Sequence, residues 1–210
     1  MNQPSVPAAA YVAAYVAPYA NLLPPNARLL IQAGATDGEL ARHYRKTYPA
    51  SSVLAVDADP QRAQQARDYA DRVYQADLDT ASDAFYKQLE WADGWFFDCT
   101  LEHLADPLRV LQQVRKMIQY DACIVARIAN SAHWEAPAIA PRHQLLIGTM
   151  LELFQRAGFR LASGVELNPS SLPADVEAAL RLQALHAGSA PETLIQAAQP
   201  SHYLLKAFPA

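Results

Sequence analysis

The strongest constraint on the fold is an alternation of short apolar runs with amphipathic helical stretches. Five such runs occupy residues 29–33, 53–56, 73–76, 94–97 and 124–128. Between the last two, an apolar stripe of Leu108, Leu111, Val114 and Ile118 marks one helix. Short strands alternating with helices are typical of βαβ units, whose parallel sheet is covered on both faces. The pattern therefore predicts an α/β protein with a Rossmann-like three-layer sandwich.

The last third of the chain has a different pattern. A helix is predicted at 144–157, a strand at 159–167, two helices within 174–198 and a strand at 202–208. A strand that the chain reaches so late suggests an antiparallel addition to the sheet. We therefore expect a mostly parallel seven-stranded sheet with an antiparallel last strand. The 210 residues are expected to form a single domain, with an N-terminal arm and helix at 1–18 and a helical insertion at 168–201.

Charge and composition exclude several classes of function. The net charge is -4, and the densest basic group, Arg42, Arg45 and Lys46, is typical of a solvated helix face. A general nucleic-acid binder needs clustered cations, so we expect no nucleic-acid partner. No run is long enough for a membrane span, and no basic region precedes the Ala-rich N-terminal stretch. Together with two cysteines, predicted to be buried free thiols, these features favour the cytoplasm.

A glycine-containing turn after the first strand is the first candidate ligand site. Gly34 and Gly38 flank Thr36, and the helix that follows offers unpaired N–H groups. Asp57 ends the second strand, where a carboxylate can accept hydrogen bonds from both hydroxyls of a ribose. Both features are equally compatible with a purely structural role, because glycine is common in such turns for geometry alone and Asp57 can cap the next helix.

These residues and a further motif resemble class I S-adenosylmethionine-dependent methyltransferases. Residues 29–38 are similar to the first motif of that family, an apolar strand that ends in a glycine-rich turn. The specific part is Leu101-Glu102-His103-Leu104 followed by Asp106-Pro107, which is similar to the fourth-strand motif of one large branch. Residues 203–207 look like the final strand of a bacterial subgroup associated with glycosyltransferases. The resemblance runs from about residue 19 to residue 208.

The resemblance implies S-adenosylmethionine as the cofactor and a small molecule or glycan-linked hydroxyl as the acceptor. It places Asp57 at the ribose and Asp77 at the adenine amino group. The implied cofactor-binding set is Gln32, Gly34, Thr36, Gly38, Asp57, Ala58, Asp77, Leu78, Asp98 and Cys99. The sequence departs from the family pattern where Gln32 replaces an acidic residue, Thr36 replaces the middle glycine and Cys99 replaces a frequent Asp.

The candidate catalytic residues are His103 and Glu102, at the end of the fourth strand. The resemblance places the pair beside the cofactor, where the histidine can act on the acceptor. An acidic residue at the start of a helix also simply complements the helix dipole, so a structural role for Glu102 stays open. His133 and His143 are weaker candidates, and no short ligand pair of the usual kind indicates a metal site.

Two hypotheses about function follow. In the first, the protein is a methyltransferase. In the second, it is a catalytically inactive protein of the same fold that serves as a scaffold or partner in surface-polysaccharide assembly. Its docking surfaces for a homodimer or another protein would be the helical face of Tyr11, Tyr15 and Tyr19 and the helices in 174–198. A nicotinamide enzyme is the poorest option, because Thr36 stands at the second glycine of the Gly-x-Gly-x-x-Gly pattern.

Overall fold

Seven strands form one sheet in the order β3-β2-β1-β4-β5-β7-β6, in a computed structural model that describes residue 10 and residues 12–135 and 146–210. The strands are β1 Leu29–Ala33, β2 Ser52–Asp57, β3 Arg72–Gln75, β4 Gly94–Asp98, β5 Cys123–Ala129, β6 Phe159–Leu167 and β7 His202–Pro209. β1 to β5 pair in parallel, and β7 is antiparallel to both β5 and β6. The predicted mostly parallel sheet with an antiparallel last strand is confirmed.

Helices connect the strands and cover the sheet. The α-helices are α1 Ala17–Leu22, α2 Glu39–Thr47, α3 Pro60–Ala66, α4 Asp83–Lys87, α5 Pro107–Met117, α6 Ile147–Arg156, α7 Ala174–Ala187 and α8 Pro191–Ala198. The N-cap of α3 is Asp59 rather than Asp57, since the Asp59 side chain accepts hydrogen bonds from the N–H groups of Gln61 and Arg62. Pro60 at the first helical position lacks the N–H that would need a partner there.

Both faces of the sheet are buried at its central strands, β1, β2, β4 and β5. In β4, Trp95 and Phe97 pack into the core on one side, whereas Phe96 packs into the core on the other side. All three side chains are at most 1% exposed. This is why β4 is a continuous apolar run rather than an alternating one, as expected of a strand in a doubly covered parallel sheet.

Tyr19 of the N-terminal tyrosine face packs inside the domain. Residues Val12–Val16 form one turn of π-helix before α1, which the tyrosine spacing did not predict. Tyr19 is buried and donates its O–H to the carbonyl oxygens of Phe97 at 2.6 Å and Val125 at 3.2 Å. Tyr19 is therefore part of the core rather than of a docking surface. Tyr11 lies outside the described residues.

Two further features concern exposed apolar groups. Trp91 is 66% exposed and adopts a φ of +75°, so it lies outside the core. Helix α7 leaves Leu182 and Leu185 exposed, at 59% and 73%. In the part of the chain that the structure describes, no helix combines the length and apolar character needed to cross a bilayer.

Candidate functional site

A cleft lies at the carboxyl edge of the sheet, where the strand order reverses between β1 and β4. In open α/β sheets, ligands bind at this switch point because the adjacent loops diverge there. The cleft consists of two adjoining cavities of about 160 and 140 Å³. The residues that line both cavities are Gly34, Asp57, Arg62, Thr100 and His103.

The cleft brings together some of the predicted cofactor residues and leaves others outside. Ala58, Asp77 and Leu78 line the larger cavity, with the apolar side chains of Val56, Ala76 and Leu104. Asp98 and Cys99 line the smaller one. The predicted residues that line neither cavity are Gln32, Thr36, Gly38 and Glu102. The cleft therefore contains the residues predicted to contact ribose and adenine, but Gly34 alone among the candidates from the first turn.

The Asp57 carboxylate is buried and accepts four hydrogen bonds. Two come from the main-chain N–H groups of Ala35 and Asp59, both at 2.7 Å. The other two come from the guanidinium of Arg62, whose Nε and Nη2 atoms lie 3.0 and 3.1 Å from the two carboxylate oxygens. The side chain of Asp57 is 2% exposed, whereas that of Arg62 is 58% exposed. The Arg62 guanidinium therefore covers the side of the Asp57 carboxylate that faces the cleft.

The turn between β1 and α2 is tied together by the protein's own groups. Gly34 N–H donates to the Val56 carbonyl at 2.8 Å, and Thr36 N–H donates to the Tyr69 hydroxyl at 3.3 Å. The Thr36 hydroxyl oxygen accepts from Nε2 of Gln32 at 3.0 Å, which is a bond that glycine at this position could not form. Thr36 therefore holds the turn rather than disrupting it.

Both glycines of the turn are required by packing as well as by backbone geometry. Gly34 and Gly38 have φ angles of +84° and +78°, which side chains rarely tolerate. A Cβ on Gly34 would overlap Thr100, and a Cβ on Gly38 would overlap the ring of Tyr69. The two glycines are accounted for without a ligand, so they do not by themselves indicate one.

The end of β4 is charged but internally paired. The Asp98 carboxylate accepts from Nε of Arg127 at 2.5 Å. Burial raises the pKa of Asp98, and the guanidinium of Arg127 opposes that shift. Cys99 follows with a φ of +48°, and burial raises the pKa of its thiol to about 12. The thiol is therefore protonated near neutral pH and is not an activated nucleophile.

The two predicted catalytic residues lie in different environments. His103 is exposed and lines both cavities. Glu102 is 2% exposed; its Oε1 accepts from the Ala129 N–H at 3.0 Å, and burial raises its pKa. His133 is tied by Nδ1 to the Ala198 carbonyl oxygen at 3.0 Å, and His143 lies outside the described residues. Of the candidates that the structure describes, His103 is the one that faces the cleft.

Three residues of the site were not identified from the sequence: Arg62, Tyr69 and Arg109. The Arg109 guanidinium donates to the carbonyl oxygens of Leu78, Asp79 and Ala81, and so fixes the loop that walls the larger cavity. Only Arg62 had a sequence signal, because it stands in the first turn of the helix that follows Asp57. Within the described ranges, no group of three His, Cys, Asp or Glu side chains converges as metal ligands would.

Comparison with known proteins then identifies the fold. No protein-family model and no curated protein matches the sequence. Coclaurine N-methyltransferase superposes with a TM-score of 0.64 at 13% identity, covering 99% of this chain and 75% of that one. An S-adenosylmethionine-dependent methyltransferase from Mesorhizobium loti gives 0.58 at 18% identity, covering 90% and 94%. The chain has the S-adenosylmethionine-dependent methyltransferase fold.

One of the matched proteins is much longer than this chain. Mitomycin 7-O-methyltransferase has a TM-score of 0.58 at 13% identity; the match covers 89% of this chain and 50% of the other. The chain thus spans about half the length of that enzyme. At 13–18% identity, these similarities establish the fold.

Proposed function

We propose that the protein binds S-adenosylmethionine in this cleft and transfers its methyl group to a small molecule or a glycan-linked hydroxyl. The observation that carries the proposal is the placement of Asp57 and Asp77 on the wall of one cavity, beside the apolar side chains of Val56 and Leu78. A carboxylate for ribose hydroxyls and an apolar slot with a polar rim for adenine are what an adenosyl group requires.

Gln32 lines neither cavity, so it can accept a hydrogen bond from the methionine end of the cofactor only after the turn that follows β1 shifts. Its side chain is 1% exposed, and its Oε1 has no hydrogen-bond partner among the described residues. A buried unpaired acceptor is costly, and an ammonium group would supply the missing donor. The carbonyl oxygen of Gln32 can thus replace the acidic residue of the family, although it attracts the cofactor less strongly than a carboxylate would.

His103 is the residue best placed to serve as a base. Its exposed ring lines both cavities, so it can accept the proton that an acceptor hydroxyl loses on methylation. The bound cofactor supplies the electrophilic methyl group. Glu102 contributes by position, because its bond to the Ala129 N–H holds the 3-10 turn Leu101–His103 against β5.

Calorimetric titration of the full chain with S-adenosylhomocysteine tests the binding step. We expect saturable binding to the wild type and its loss in Asp57→Ala. Asp121→Ala removes an exposed carboxylate outside the cleft and is the matched control, in which binding should be unchanged. Absence of heat and of thermal stabilisation at millimolar ligand in the wild type would refute the proposal.

Isotopic label tests the transfer step. Methyl-labelled cofactor is incubated with a panel of hydroxyl-bearing small molecules and nucleotide sugars. His103→Gln should lower transfer by about 10²–10⁴-fold while leaving S-adenosylhomocysteine binding intact. Equal rates of methyl transfer by the wild type and by His103→Gln would show that His103 is not the base.

A second candidate is a non-catalytic scaffold. The observation that favours it is the internal pairing of the cleft: Arg62 covers Asp57, and the turn donates its N–H groups to Val56, Asp57 and Tyr69. The exposed Leu182 and Leu185 of α7 would then contact a partner. Labelled methyl transfer that disappears in Asp57→Ala would exclude this role.

A further inference from the structure

We infer that Arg62 is a displaceable closure over the ribose-binding face of Asp57, and that it sets how tightly the cleft takes an adenosyl ligand. The inference rests on the proposed function and concerns its regulation. It follows from the four hydrogen bonds to Asp57, because the donors differ in how easily they can leave.

Two of the four donors are fixed. The Ala35 N–H belongs to the turn after β1, and that turn is held by bonds to Val56 and Tyr69. The Asp59 N–H belongs to the N-cap of α3. These two bonds keep the carboxylate in place whatever Arg62 does.

The other two donors belong to one flexible side chain. Arg62 is more than half exposed, and its main-chain N–H is held separately by the Asp59 carboxylate at 2.9 Å. The guanidinium can therefore rotate out of the cleft without disturbing helix α3. Because Arg62 lines both cavities, that rotation also joins them into a longer cleft.

A ribose replaces these two donors one for one. Nε and Nη2 of Arg62 contact different oxygens of Asp57, and a vicinal diol offers two O–H donors with the same arrangement. When a ribose diol replaces Arg62, the number of hydrogen bonds to Asp57 stays the same, but the Arg62–Asp57 ion pair is lost. Ligand binding therefore includes the free energy of breaking the Arg62–Asp57 pair, and removing Arg62 removes that cost.

The test is titration of Arg62→Ala with S-adenosylhomocysteine. Because partly exposed ion pairs are modest, we expect the variant to bind about three- to tenfold more tightly than the wild type. Arg67→Ala, which removes an exposed cation just after the same helix, should bind as the wild type does. Arg62→Gln, which keeps one donor, should fall between and provides a second variant if Arg62→Ala folds poorly by circular dichroism.

Two results would overturn the inference, and they differ in what else they imply. If the wild type binds and both Arg62 variants bind equally or more weakly, Arg62 is not a closure, but the proposed cofactor site stands. If neither the wild type nor the variants bind, the closure and the proposed function both fail.

Discussion

Thr100 packs directly against Gly34, and its hydroxyl donates to the carbonyl oxygen of Ala33 at 2.8 Å. The contact joins the loop after β4 to the turn after β1, at the strand-order reversal where the cleft opens. The shape of the cleft thus depends on a side chain from one loop fitting against a glycine in the other.

Gly34→Ala should lower the free energy of unfolding by about 2–4 kcal/mol, because it combines a left-handed φ with an overlap against Thr100. Urea denaturation measures the change. Adding Thr100→Ala relieves the overlap but not the φ strain, so the double variant should be about 1 kcal/mol more stable than additivity predicts. Gly148→Ala is the control: it lies in α6 with open space around it, and should stabilise slightly. Strict additivity would mean that the two residues do not interact.

Tyr19→Phe should lower the free energy of unfolding by about 1–2 kcal/mol, because a buried O–H that bonds two carbonyl oxygens is lost. Thermal and urea unfolding measure it. Tyr120→Phe removes a hydroxyl from a side chain that is 85% exposed, and should have no effect. Equal effects of the two substitutions would contradict the role assigned to Tyr19.

Stability should fall as pH drops from about 6.5 to about 4 because of His202. Burial, with the charges of Arg127 and His133, lowers the pKa of this histidine from 6.5 to about 4. The unfolded chain binds the proton first, so the stabilisation present above pH 6.5 is lost on acidification. After allowance for solvent screening, we expect about 1–2 kcal/mol between pH 7 and 4.5.

His202→Gln should flatten that pH dependence, whereas His186→Gln, in an exposed position of α7, should leave it unchanged. Urea denaturation at several pH values gives both slopes. An identical slope in the wild type and His202→Gln would assign the acid sensitivity to other groups.

Arg109→Ala should lower the free energy of unfolding by about 2–4 kcal/mol and also weaken S-adenosylhomocysteine binding. Its guanidinium holds three carbonyl oxygens of the loop that contains Leu78 and Asp79. Arg156→Ala, at an exposed position at the end of α6, is the control for loss of one positive charge. A stability loss with unchanged affinity would show that the loop keeps its shape without Arg109.

The sheet could be predicted from the sequence because its signal is local. The bounds of β1 and β6 agree with the predicted runs, and those of the other strands differ by one residue at one or both ends. Strand ends such as Asp57 and the loop of Asp77 then come together because parallel strands share a carboxyl edge. Their grouping in one cavity follows from topology alone.

The finer structure of the site could not be predicted, because it depends on contacts between distant residues. Thr100 meets Ala33 across 67 positions, and Thr36 meets Tyr69 across 33. Nothing in the local pattern shows that each glycine faces a distant side chain, Thr100 for Gly34 and Tyr69 for Gly38. The sequence therefore overstates the ligand signal of the turn, since packing also requires those glycines.

The position of β7 has a consequence for folding during synthesis. This strand lies between β5 and β6, although both precede it in the chain. β6 therefore has no neighbour to pair with until β7 has left the ribosome, while the five parallel strands can associate earlier. A nascent chain that stalls before residue 202 would hold β6 as an unpaired edge, open to aggregation.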